Sequence, residues 1–115
     1  MNPMTPMTPM TTFAEFWPFY LREHARGATR RLHFIGTSLA VVVALYAVAT
    51  RQPRFLLAGL LCGYGFAWVG HFFIEHNRPA TFKHPLWSFR GDFHMLALAL
   101  SGRLPAELDR LGIPR

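Results

Sequence analysis

Leu32-His33-Phe34-Ile35-Gly36-Thr37-Ser38-Leu39-Ala40-Val41-Val42-Val43-Ala44-Leu45-Tyr46-Ala47-Val48-Ala49-Thr50 contains no Asp, Glu, Lys or Arg, and its only titratable side chains are His33 and Tyr46. A bilayer's hydrocarbon takes roughly 20 helical residues to cross, and this run is about that long. A second run, Phe55 to Ile74, also lacks permanent charge, with Cys62, Tyr64 and His71 as its titratable members. The connector Arg51-Gln52-Pro53-Arg54 is short, so the second run must return beside the first. The expected fold class is all-α: an integral membrane helical hairpin of two spans. Small residues recur along both runs, as Gly36, Ala40, Ala44 and Ala47 on one and Gly59, Gly63, Ala67 and Gly70 on the other. Such stripes let helices approach closely in lipid, and here they predict the packing seam.

The flanks fit that frame. Phe13 to His24 carries Phe13, Phe16, Trp17, Phe19 and Tyr20, with Pro18 as a possible kink. It is expected to form an N-terminal interfacial amphipathic helix, capped by Thr12 with Glu15 three residues on. Residues 1–12 repeat Pro-Met-Thr and are expected to be a disordered tail without the apolar core of a secretion signal. Leu86 to Leu100 is apolar but interrupted by Arg90, Asp92 and His94, which predicts a third, interfacial or re-entrant helix. Residues 13–101 thus form the helical membrane domain, and 102–115 a polar C-terminal tail with a short surface helix.

Charge placement supports a membrane partner over nucleic acid. The net charge is +6, from eleven Arg and one Lys, yet the basic residues flank the apolar runs. Arg22, Arg26, Arg30 and Arg31 precede the first run, and Arg78, Lys83 and Arg90 follow the second. The connector has only Arg51 and Arg54, so both termini are expected in the cytoplasm, in a bacterial inner membrane. Cys62 has no partner for an intrachain disulfide. A homo-oligomer is left open.

The histidines point to chemistry. In Gly70-His71-Phe72-Phe73-Ile74-Glu75, His71 and Glu75 are four apart and share a helix face. An antiparallel hairpin brings His33 and His71 to the same end. His24 lies nine residues before His33 and reaches it by a bend near Gly27. His24, His33, His71 and Glu75 are therefore the candidate metal ligands. Histidines with one carboxylate suit non-haem Fe(II), and zinc accepts the same set. Each has a plainer reading: an interfacial histidine is often only a hydrogen-bonder, and Glu75 can pair with Arg78. His76 and His84 have weaker claims, and His94 is a possible support beside Asp92.

Tyr20-x-x-x-His24-x8-His33 and Gly70-His71-x3-Glu75-x2-Arg78-Pro79-Ala80 resemble a membrane family once catalogued only as a domain of unknown function. Its characterised fungal member is an Fe(II)-dependent 2-hydroxy fatty acid dioxygenase of the endoplasmic reticulum. The resemblance spans roughly Phe13 to Leu100 and implies iron ligation by His24, His33, His71 and Glu75. It further implies α-oxidation of a lipid or fatty-acid substrate with O2, with Arg78 or Arg30 steering the carboxylate. The chain is a compact version: Thr29 and Ala67 stand where the family usually has Asn and Gln. Two other classes stay open, a non-catalytic hairpin that scaffolds proteins or binds lipid, and a haem protein with His33 and His71 as axial ligands.

Overall fold

The aromatic segment, the two uncharged runs and the interrupted run each become a helix. The computed structural model describes residues 10–115, and among these the chain is all-helical. The order is α1 (Phe13–Arg22), α2 (Gly27–Ala49), α3 (Arg54–Val69), α4 (Pro85–Leu100) and α5 (Leu104–Arg110). A wider π-type turn, Gly70–Glu75, continues α3, and a single 3-10 turn, Ala80–Phe82, precedes α4. Most of the expected disordered tail lies outside the described residues.

α2 and the continuous helix Arg54–Glu75 form the antiparallel hairpin, with mean hydropathies of 2.0 and 1.5 over their most apolar windows. Only 17% and 22% of those windows is buried inside the chain. Core helices of a water-soluble domain would be mostly covered. Here Val42, Leu45, Val48, Leu57 and Leu61 point outward instead. Both helices are long and apolar enough to span a membrane.

The small residues are the seam. A Cβ built on Gly36 would lie 2.8 Å from Phe66 Cβ and 3.0 Å from the Gly63 carbonyl oxygen. One on Gly59 would lie 3.2 Å from the Ala40 carbonyl oxygen, and one on Gly70 3.0 Å from Thr29 Cγ2. The Gly63 and Ala40 carbonyls bring backbone against backbone, and Phe66 Cβ and Thr29 Cγ2 fill the space beside the other glycines, an approach that missing side chains permit. Ala47 and Ala67 are buried in the same seam.

The remaining helices cap the end of the hairpin that carries His33 and His71. α4 packs against both α1 and α2. Phe16, Trp17, Tyr20 and Leu21 of α1 are buried with Met95 of α4 and with Leu104, Leu108 and Ile113. The C-terminal stretch expected as a polar surface tail therefore packs by its apolar face, because Leu104 and Leu108 share one side of α5. Thr12 caps α1, its hydroxyl accepting from Glu15 N–H at 3.2 Å, while the Glu15 carboxylate returns to Thr11 rather than to Thr12. Pro18 sits inside α1 without ending it.

Candidate metal centre

Three elements converge at the capped end of the hairpin. His24 sits in the turn between α1 and α2, His33 in the second turn of α2, and His71 in the π-type turn. All three are buried. His24 Nε2 lies 2.9 Å from His33 Nε2, which lies 3.4 Å from His71 Nε2. One ligand atom from each falls within 4.8 Å of the others, and among the described residues this is the group placed to hold a metal.

The partners of the other ring nitrogens decide what the cluster is. His24 Nδ1 lies 2.7 Å from the Tyr20 carbonyl oxygen, which can only accept, so Nδ1 carries the proton. His71 Nδ1 lies 2.7 Å from Asn77 Oδ1. The Asn77 amide is oriented by its own donor side, where Nδ2 reaches the Glu23 carbonyl oxygen at 3.1 Å and Glu23 Oε2 at 2.8 Å. His71 Nδ1 is therefore also a donor. His33 Nδ1 faces Asp92 Oδ1 at 3.4 Å, and the same oxygen accepts from Tyr20 O–H at 2.5 Å. With Nδ1 protonated, the neutral His24 and His71 rings turn their Nε2 lone pairs toward His33 Nε2, and the Asp92 carboxylate beside His33 Nδ1 favours the same tautomer there.

Three converging lone pairs repel one another unless a cation lies between them. The spacing suits one: nitrogens each about 2.1 Å from an ion are about 3.0 Å apart at a right angle and about 3.4 Å at the tetrahedral angle. A shared proton is a poor substitute. Burial, reinforced by His33 and His71, holds the His24 imidazole well below its usual range, so it resists charging. Carbonyl, carboxylate and amide groups behind each imidazole are the usual supports of metal-ligating histidines. Burial, and secondarily Asp92, pushes the Tyr20 phenol up, so it stays protonated and remains a donor. His33 and His71 are too close at Nε2 for a haem ring to lie between them.

Local sequence explains the placement. His76 takes a left-handed conformation (φ 59°), which histidine tolerates better than most residues. That reversal returns the Asn77 N–H to the His71 carbonyl oxygen at 2.9 Å and brings the Asn77 side chain beneath the ring. Arg30 is buried on the turn that carries His24, and its Nη1 donates to the His24 and Ala25 carbonyls at 2.8 and 3.0 Å. Gly91 allows α4 to lie against the Tyr20 ring, since an added Cβ would meet that ring at 3.1 Å.

The structure brings together three of the four expected ligands. Glu75 does not join them. Its Oε1 accepts from the Arg26 N–H at 2.5 Å and from Thr29 Oγ1 at 2.8 Å, serving the open N-terminus of α2. The π-type turn alters the angular spacing that an α-helix gives to residues four apart, and an unsatisfied helix end lies close by. Arg30, expected to steer a carboxylate, is occupied with backbone carbonyls, while Arg78 is exposed beyond the turn. His94 packs on Trp17 and Phe13, and His84 on Trp87 and Phe16, away from the cluster. Asn77 and Asp92 escaped the sequence reading. A carboxylate inside an otherwise apolar helix was the available sign for Asp92; for Asn77 no spacing signal existed.

Fold and site together define an all-helical protein with two span-length helices and a buried three-histidine pocket at one end of their hairpin. The chain belongs to the 2-hydroxy-palmitic acid dioxygenase Mpo1-like family, whose profile matches residues 10–104. No match was found among curated proteins or among solved structures.

Proposed function

We propose that the chain is a membrane-embedded, Fe(II)-dependent dioxygenase that shortens 2-hydroxy fatty acids by one carbon. The observation that carries this reading is the convergence of three buried Nε2 atoms, with an acceptor beside each Nδ1, in a member of this family. The reaction balances as R–CH(OH)–COOH + O2 giving R–COOH + CO2 + H2O. The C1–C2 bond breaks, C2 becomes the new carboxyl carbon, C1 leaves as CO2, and O2 takes up the four electrons. His24, His33 and His71 would hold Fe(II), which when bound would supply the redox chemistry.

The chain's own residues do the rest. His24, His33 and His71 hold the ion; the Tyr20 carbonyl, Asp92 and Asn77 keep their Nε2 atoms free for it. The aromatic layer of Phe16, Trp17 and Tyr20 closes the pocket from the α1 side and keeps water out. Exposed Arg78 is placed to attract a carboxylate before it enters. The hairpin lies across a bilayer with its histidine end, and both termini, on the cytoplasmic side. There Arg22, Arg26, Arg31, Arg78 and Lys83 outnumber Arg51 and Arg54 of the opposite turn.

The test is metal analysis after anaerobic purification in detergent, wild type beside His71→Ala, followed by oxygen uptake with 2-hydroxy fatty acids. About one iron per chain is expected, with the variant losing both iron and uptake. Equal turnover in His71→Ala would sink the reading.

A further inference from the structure

The histidine pocket has a neighbour in the fold. A second hollow, walled by Thr37, Ala40, Leu60, Gly63, Phe89 and Phe93, adjoins it. His33, Tyr64, Ala67 and Asp92 line both spaces. The histidine side of this shared lining is therefore polar, and the far side is lined mainly by carbon. Thr37 and Ala40 of α2 and Gly63 and Ala67 of α3 form its floor, and the aromatic edge of α4, Phe89 and Phe93, forms its wall, so the hollow is a slot between the hairpin and α4. From His33 to Ala40 the slot follows about two turns of α2, roughly 10 Å. Leu60, Phe89 and Phe93 are also exposed on the outside of the molecule, so the slot borders whatever surrounds the hairpin.

The polar end carries a second, independent sign. Ser88 is 2% exposed and lines the histidine pocket, yet among the described residues its Oγ has no hydrogen-bond partner. A buried hydroxyl without a partner is unfavourable by itself and is a ready donor to an arriving oxygen. No partner among the described residues accounts for it.

Building on the proposed activity, we infer that this space seats one single-chain amphiphile. Its 2-hydroxy acid head lies beside Ser88 and the histidines, and the first part of its acyl tail lies in the slot between the hairpin and α4. The tail enters sideways from the bilayer past Leu60 and Phe93. A slot of roughly 10 Å is shorter than an extended hexadecanoyl chain, so the far end of the tail emerges into lipid. Moving a tail from lipid to slot exchanges one apolar setting for another and provides little drive. The head must supply the affinity, which makes Ser88 a substrate-binding residue and makes Leu60 and Phe93 the residues that steer the tail.

The test uses the full chain in phosphatidylcholine nanodiscs, loaded with redox-inert zinc, and a 2-hydroxy fatty acid bearing a mid-chain diazirine. After illumination, labelled positions are mapped by mass spectrometry. Labelling is expected to concentrate on Leu60, Gly63 and Phe93 and to be displaced by excess 2-hydroxyhexadecanoic acid. Leu60→Trp, a change at an exposed position, lowers that labelling at least fivefold. Ser88→Ala raises the competitor concentration required about tenfold or more. Uniform, uncompeted labelling of outward residues such as Val42, Leu45, Leu57 and Leu61 would mean the probe is only bulk lipid, and would overturn the seat. Oxygen uptake by the Fe(II)-loaded proteins separates the two readings. Competed slot labelling without oxidation keeps the seat and refutes the activity; oxidation without slot labelling refutes the seat alone.

Discussion

At the scale of single residues, neighbours sort the ionisable groups into ligands and braces. Asn77 touches no other histidine of the cluster, yet it fixes the proton of His71. Asn77→Ala is expected to weaken metal binding by 10–100-fold while leaving the ligands in place, measured by titration with a chelator of known affinity. Glu75 makes the opposite prediction. Its carboxylate completes the N-terminus of α2 through Arg26 and Thr29, a favourable position for negative charge. Glu75→Ala should lower unfolding stability by about 1 kcal/mol with metal stoichiometry retained. Loss of metal in this variant with stability unchanged would restore Glu75 to the ligand set.

At the scale of elements, the hairpin seam sets where His33 and His71 meet. Gly36 is one turn beyond His33 and lies directly against α3. Gly36→Leu cannot be accommodated without separating the helices. Overpacking of this kind costs about 1–3 kcal/mol, and His33 should move away from His71 with it. Thermal unfolding in detergent and metal content should therefore fall together. Gly65 is the control, because a Cβ there meets nothing within 4 Å. Gly65→Ala should be neutral, or stabilising by up to about 1 kcal/mol. The seam was legible from glycine and alanine spacing alone, because in an apolar run little else marks the buried side of a helix. The packing of α5 was less legible: its Leu104 and Leu108 form too short a stripe to distinguish a docked helix from a tail.

At the scale of the whole molecule, the protein holds a polar centre in an apolar shell, and pH should reveal it. His24 titrates lower in the fold than its ordinary value of 6.5 because burial, then its neighbouring imidazoles, oppose the charge. The folded chain therefore binds fewer protons than the unfolded chain once pH drops below that value, and stability falls with it. The metal-free protein should show a declining melting temperature as pH goes from about 7.5 to about 5.5. A flat profile would mean that these imidazoles are open to water. At neutral pH, stripping the metal should lower the melting temperature in wild type and leave His71→Ala unchanged, since only a folded pocket gathers the three ligands.

Sequence by itself determined the two uncharged runs, their short connector, the glycine seam and the return of His33 and His71 to one end. These follow from local rules: hydrophobic length, chain continuity and helical period. His24 was reachable by the same reasoning because a short bend limits where it can go. Tertiary structure alone decided that Glu75 serves a helix end, that Asn77 and Asp92 stand behind the imidazoles, and that Ser88 finds no partner among the described residues beside them. Those assignments depend on which acceptor meets which donor across helices far apart in the chain, and no spacing along one helix encodes that.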